Sequence, residues 1–456
     1  MNGGRHKKLQ ELHARHGPWV RVGPNELSIN LPSAVRPIYT KLDRASFYAA
    51  VPATAETLIT VRDRLVHAHR RQAWTKSVTS EAMQSYVPFL QRRIEQLGRI
   101  LDRECTQSPV KIDHWLNLFL MDLMGDMGFS GGFETMAAGK DTEGWVDILS
   151  KGVVFVSSIG QVPWVRAIVE CLPQRGPIES FQKFTNNKVE EIKAQRNSPK
   201  RDILGTLLDE STAVYRLSEA EAAADAALIV VAATDTTAQT LITLIRYIMC
   251  DKGVMRRLQE EIASTFTSCR GGLDDMDISL VLRLPLLDAC IQEALRLMPP
   301  GPFGPPRTSG PGGTKINNVY IPPNTTVHVP IYTMQRDPAN FGQDADMYVP
   351  DRWLVSSHPA GYDHASGKGL DVEESRLNRD AFMPFSAGYG SCVGKRLALQ
   401  NMKIFVAWLL HTYDIVPTVD FNPQVFDLSY KEHGLWAHDP LEVSLHRRDV
   451  DLKGAP

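Results

Sequence analysis

Apolar residues recur with the helical period along most of the chain. That period predicts helices over residues 5–16, 63–82, 84–104, 112–129, 178–196, 251–266 and 277–298. The longest predicted helix starts after Ser218 and runs without a breaker to about Cys250. Ser218 and Glu221 have capping-box spacing at its start. From Ala226 to Ala233 it is apolar on every side, so it crosses the interior. Alternation with a period of two is confined to short stretches. Val20, Val22 and Leu27-Ser28-Ile29 read as strands about a Gly-Pro-Asn turn. Residues 316–334 alternate as strands around Pro322-Pro323-Asn324, and residues 425–446 read as a terminal hairpin with Leu435 and Trp436 near its tip.

No long linker, repeat or low-complexity run divides the 456 residues, which fits one large domain. Hydrophobic residues make up 43%, enough for a large core. The formal charge of −2 speaks against a nucleic-acid binder. Six cysteines without a C-x-x-C pair are no disulfide framework, and a reducing compartment fits them best. No run reaches the ~18 apolar residues of a membrane span. The polar start, Met1 to Lys8, shows no signal peptide.

The candidate chemistry gathers at Pro384-Phe-Ser-Ala-Gly-Tyr-Gly-Ser-Cys392-Val-Gly-Lys-Arg-Leu-Ala-Leu399. Gly388, Gly390 and Gly394 allow unusual backbone conformations and close approach of a flat ligand. Helix formers follow from Lys395, so Cys392 sits at a helix N-terminus, a setting that favours thiolate. The chemistry suggested is one thiolate on one iron; the plainer alternative is a structural cysteine in a turn. In the middle of the long helix stands Ala232-Ala-Thr-Asp235-Thr236-Thr237. An acid and hydroxyls inside a buried helix are costly unless used or paired. Thr236 can bond the Ala232 carbonyl and bend the helix locally. His67 and Arg71 lie four apart on one helix face, as do Glu293 and Arg296 at a spacing of three. His67 and His69 point apart and make no zinc site.

The cysteine stretch resembles the haem-binding loop of the cytochrome P-450 family, Phe-x-x-Gly-x-Arg-x-Cys-x-Gly. Phe385, Gly388, Cys392 and Gly394 match, while Gly390 stands where the family usually has arginine or histidine. The long-helix segment resembles the family's oxygen-activation motif, with Ala233 in place of glycine. Glu293-Ala-Leu-Arg296 and Pro350-Asp351-Arg352-Trp353 resemble its Glu-x-x-Arg helix and partner segment, where two arginines clamp one glutamate. The first strands resemble fungal members in particular.

The resemblance implies a mainly α fold with small β-sheets, one large domain spanning 1–456. It implies haem b held by Cys392, with Phe385, Gly388 and Gly394 shaping the loop. By the same resemblance, His67, Arg71 and Arg307 hold the propionates, Phe303 and Gly304 line the substrate pocket, and Leu435 and Trp436 can touch substrate. The apolar stretch 141–172 covers the substrate entrance. Thr236 and Asp235 supply protons. The implied reaction is monooxygenation of a lipophilic small molecule, in fungal secondary metabolism or detoxification. No flavin or nicotinamide motif is visible, so a separate NADPH-dependent flavoprotein reductase is expected, docked through Arg70, Lys76, Lys395 and Arg396. Family members associate with the endoplasmic reticulum membrane, although no anchor is visible in this chain. The rival readings are a haem-thiolate isomerase or dehydratase on the same fold and a non-enzymatic binding protein.

Overall fold

The computed structural model describes residues 3–50, 55–106, 109–145, 177–194, 202–209, 215–266, 273–354 and 377–448, with residues 152, 157 and 160 between. The predicted stretch 141–172 lies mostly outside them. Among the described residues, ten helices have eight or more residues. In chain order they are α1 (Arg5–His16), α2 (Pro32–Lys41), α3 (Arg64–Lys76), α4 (Ser80–Glu104), α5 (Ile112–Phe129), α6 (Pro177–Ala194), α7 (Glu219–Ile248), α8 (Lys252–Ala263), α9 (Pro285–Leu297) and α10 (Lys395–Thr412).

The predicted helix 63–82 is cut in two by its caps. Asp63 accepts the Leu65 and Val66 amides at the start of α3. Thr79 accepts the Ala82 amide, so α4 begins at Ser80 rather than at 84. The long helix keeps its predicted bounds, and the Ser218–Glu221 capping box is formed. By length and composition α7 could cross a membrane, but 67% of its most apolar window is buried inside the protein. It is the core helix, packed against α5, α6 and α9.

The strands form a smaller layer. Strands β1 (Trp19–Gly23), β2 (Glu26–Ile29), β3 (Asp43–Arg44), β5 (Arg307–Thr308) and β8 (Thr326–His328) pair in the order β1-β2-β8-β5-β3. Strands β6 (Thr314–Ile316) and β7 (Val319–Ile321) form a hairpin through Asn317 and Asn318, both at positive φ, the conformation a two-residue primed turn demands. Helix α2 covers the sheet through Ile38 and Tyr39, which pack in a second core with Val327 and Val329.

Two predicted strand regions end differently. Residues 331–335 close the 316–334 stretch as a helical turn. Pro423–Ser429 is helical, because Asn422 caps it and Pro423 occupies the first turn. The remaining C-terminal strands are two small pieces: Lys431–Glu432 pairs with Trp436–Ala437, and Glu442–Arg447 pairs with Tyr413–Pro417 on one side and with β4 (Val110–Lys111) on the other.

Candidate active site

The cysteine loop is fixed from three directions. From α2, the Tyr39 carbonyl packs against Gly388, which has φ of +65°; a Cβ there would lie 2.0 Å from that oxygen. Only glycine fits such a contact with backbone. The Tyr389 hydroxyl donates to the Leu42 carbonyl at 3.2 Å. From α3, Arg71 donates to the Ser391 carbonyl at 2.6 Å and to its hydroxyl at 3.2 Å. Within the loop, the Cys392 amide donates to the Phe385 carbonyl at 2.9 Å. The Lys395 ammonium lies 5.6 Å from the centre of the Phe385 ring.

The third brace is the Glu293 clamp. Glu293 and Arg296 are fully buried on α9. The Glu293 carboxylate accepts from Arg296 at 2.7 and 2.8 Å, Arg352 at 3.0 Å, the Val349 amide at 2.9 Å and the Trp353 indole at 2.8 Å. Burial alone would raise its pKa. The Arg296 hydrogen bonds and the charges of Arg296 and Arg352 outweigh burial and hold it below the usual carboxylate value. Asp351 is not part of the clamp and pairs with Arg257 at the surface. Gln335 carries the brace onward: it donates to the Leu295 and Arg296 carbonyls and accepts the Met383 amide at 2.9 Å. Met383 lies two residues before Phe385, so the clamp reaches the loop through Gln335. No sequence motif flagged Gln335, because a buried glutamine between two carbonyls and an amide has no periodic signature.

The Cys392 side chain is accessible, yet protein surrounds it at longer range. The combination marks an inward-facing niche rather than outer surface. The expected positive groups are there: the Gly394 and Lys395 amides and the charges of Arg71 and Lys395 all favour the thiolate. Burial nevertheless outweighs them and pushes the metal-free thiol up, against the sequence expectation. A coordinating metal deprotonates such a thiol outright.

Cations crowd the adjoining corner. His67 is buried, its Nε2 has no partner, and its ring stands edge-on to Tyr389 at 5.4 Å. Burial, then Arg44 and Arg71, lower its pKa to about 3, so it is neutral at pH 7. Arg307 is buried with its Nε unpartnered. Among the described residues no carboxylate lies within ion-pair distance of Arg44 or Arg307. Unpaired buried cations call for an anion. A flat macrocycle carrying two carboxylates, seated with its metal at Cys392, fits this donor set.

Arg70 does not fit its expected role. It is buried on the other face of α3, paired with Asp225 at 2.7 Å and Glu221 at 3.3 Å on α7. Asp225 also accepts from the Leu58 amide and the Trp74 indole. Arg70 therefore latches α3 to α7 and is excluded from any docking surface. Lys76, Lys395 and Arg396 are exposed.

On α7, the Thr236 hydroxyl donates to the Ala232 carbonyl at 2.8 Å, as the sequence predicts. The helix stays α-helical through this turn. Asp235 is half-buried; burial pushes its pKa up, and a hydrogen bond from Gln239 offsets part of this. Among the described residues no hydrogen bond joins this pair to the cysteine loop. Three further candidates make contacts within the protein. Phe303 lies under Arg5 at 4.4 Å, Gly304 is pressed against the Val329 carbonyl, and the Trp436 indole donates to the Pro299 carbonyl at 2.8 Å.

A helical fold braced around a single niche cysteine, beside unpaired cations, is the architecture of a haem-dependent oxidoreductase. The cytochrome P-450 family profile matches residues 1–433, and the chain belongs to that family. It is 31% identical over 449 residues to cytochrome P-450 67 of Uromyces fabae, covering 95% of this chain and 80% of that one. It is 30% identical to cytochrome P-450 monooxygenase orf5 of Eupenicillium brefeldianum, covering 92% and 81%. It is also 30% identical to tryprostatin B 6-hydroxylase of Aspergillus fumigatus, covering 89% and 70%.

Proposed function

We propose that the whole chain, 1–456, is a haem-thiolate monooxygenase domain that inserts one oxygen atom from O2 into a lipophilic small molecule. The observation that carries this reading is the accessible Cys392 sulfur in its interior niche, where the Gly394 and Lys395 amides favour the thiolate. When bound, haem b supplies the activation of O2 needed to hydroxylate a C–H bond or epoxidise an alkene. As thiolate, Cys392 would hold the metal and donate electron density to it. Gly388 and Gly394 keep the loop thin, and the Phe385 carbonyl accepts the Cys392 amide. Arg307 and His67 orient the carboxylates, with His67 donating one N–H as a neutral imidazole; Arg71 acts through Ser391.

Asp235 carries a proton into the α7 interior, and Thr236 holds water or substrate oxygen with its hydroxyl. Thr236→Ala is expected to lower product formed per NADPH consumed by roughly tenfold or more, measured as coupling. Because the Asp235 pKa is raised, its protonated form persists to higher pH than an ordinary carboxyl's. Coupling should therefore fall as pH rises through that raised value, and Asp235→Asn should flatten this limb of the pH profile.

An open groove of about 590 Å3 beside α3 is lined by Arg64, Arg71 and Lys76. With Lys395 and Arg396 nearby in the fold, it offers a basic face to an acidic, NADPH-dependent flavoprotein reductase. An intracellular site at the endoplasmic reticulum membrane and a role in fungal secondary metabolism are the settings proposed. The relative from Aspergillus fumigatus, by its name a hydroxylase of tryprostatin B, supports hydroxylation as the reaction.

The test supplies haem-loaded protein with NADPH, a fungal reductase and 18O2, over a panel of apolar metabolites. A product heavier by one labelled oxygen, absent without NADPH, is expected. Conversion without electrons would instead identify an isomerase or dehydratase.

A further inference from the structure

The family's loop cation is missing at Gly390, and the structure shows what fills its place. A Cβ on Gly390 would lie 2.6 Å from Arg307 Nη2 and 3.7 Å from Arg44 Nη2. Two guanidinium groups, not empty space, meet at this glycine. Arg44 comes from β3 and is the direct cross-strand neighbour of Arg307 on β5. It is buried, gives one hydrogen bond to the Val61 carbonyl at 2.6 Å and stands beside the Tyr48 and Tyr389 rings. The charges and phenols that face it are Tyr48, Arg307, Tyr389 and Arg71; no acid is among them.

Like charges directly opposite on paired strands repel, and burial deepens the cost. A two-residue strand pair that sets one buried arginine against another makes sense only with an anion between them. Neither arginine has a carboxylate partner among the described residues, and Arg307 Nε and His67 Nε2 are unpartnered in the same corner. We infer that Arg44 supplies the carboxylate contact that the loop residue provides elsewhere in the family, and that Gly390 is the complement that lets Arg44 and Arg307 converge. Nothing in the sequence marked Arg44, which lies about 350 residues from Cys392 and in no motif. This inference rests on the haem-thiolate reading above.

The readout is haem retention, not turnover. Haem-loaded protein is mixed with excess apo-globin, and the transfer rate is followed by absorbance; the melting temperature of each haem-free variant is measured alongside. A hydrogen-bonded charge contact of this kind is worth a factor of about ten or more. Arg44→Ala is expected to lose haem at least about tenfold faster while its haem-free form melts no lower than wild type, since a like charge has been removed. Returning the cation to the loop in Arg44→Ala/Gly390→Arg is expected to slow the loss again, whereas Gly390→Arg alone, with three arginines in one corner, should speed it. Unchanged retention in Arg44→Ala, or a haem-free form that melts well below wild type, overturns the inference, as does a double variant no better than Arg44→Ala. If wild type binds no haem, the proposed function itself fails, a different result.

Discussion

Glu293→Ala is expected to leave little or no haem-loaded protein. The carboxylate accepts five hydrogen bonds, from Arg296 (two), Arg352, the Val349 amide and the Trp353 indole. Removing it leaves the buried Arg296 without a carboxylate partner, at about 3–5 kcal/mol, while Arg352 keeps its ion pair with Asp344 at 3.0 Å. Domains are stable by only about 5–15 kcal/mol in total, so this one change consumes a large share. Arg296 also donates to the Gln335 and Ala345 carbonyls, and Gln335 holds the Met383 amide just before the cysteine loop. Loss of the clamp should therefore reach Cys392 before it unfolds the helices. Urea titration and haem content per protein check both parts. Glu293→Gln keeps acceptors but drops the charge and should fall between alanine and wild type. The pH sign follows from the lowered Glu293 pKa. Its stabilisation is complete above the unfolded carboxyl value and is lost only as pH falls through the lower folded value. Wild type should thus resist acid more than Glu293→Gln above that window, and the difference should vanish below it.

The parts legible in the sequence are those carried by periodicity or by a local motif. The long helix declared itself through Ser218, Glu221 and an all-apolar stretch, and the clamp through the spacing of Glu293 and Arg296. The parts that were not legible depend on distant pairs. Asp225 reads as one more residue of an apolar helix, until its partners Arg70, Trp74 and the Leu58 amide are seen to come from another segment. Arg70 and Arg71 look alike in a basic run, yet adjacent positions on a helix point about 100° apart. One therefore latches α7 and the other holds Ser391. The 425–446 hairpin is shorter than expected for a local reason: Asn422-Pro423 is a helix start, the strands that pair about the tip beside Leu435 are Lys431–Glu432 and Trp436–Ala437, and Glu442–Arg447 belongs to another sheet. Cys392 was placed correctly at a helix start, but its thiol pKa depends on burial, which no local pattern reports.

Cys392→Ala is expected to abolish the strongly red-shifted Soret band of the reduced, carbon-monoxide-bound protein while leaving the fold intact. The two halves of that statement have separate grounds. The side chain is accessible, so its removal opens no packed core, and the loop is held without it by Gly388 on Tyr39, Arg71 on Ser391 and the Cys392 amide on Phe385. Substitutions away from packing and buried pairs usually cost within ~0.5 kcal/mol, so the haem-free variant should melt beside wild type. Electronic donation, by contrast, needs the sulfur, and no other cysteine stands in this loop: Cys290 is buried on α9 with its thiol pushed up to about 12. Arg44, His67 and Arg307 remain, so the variant should still take up some haem, but with a band at the position of histidine-ligated or unligated forms. A wild-type protein with that same band would show that the thiolate does not reach the metal, and a variant that kept the red-shifted band would place the ligand elsewhere. A variant that lost both band and fold would return Cys392 to a structural role, because the accessible sulfur would then have been holding the loop together.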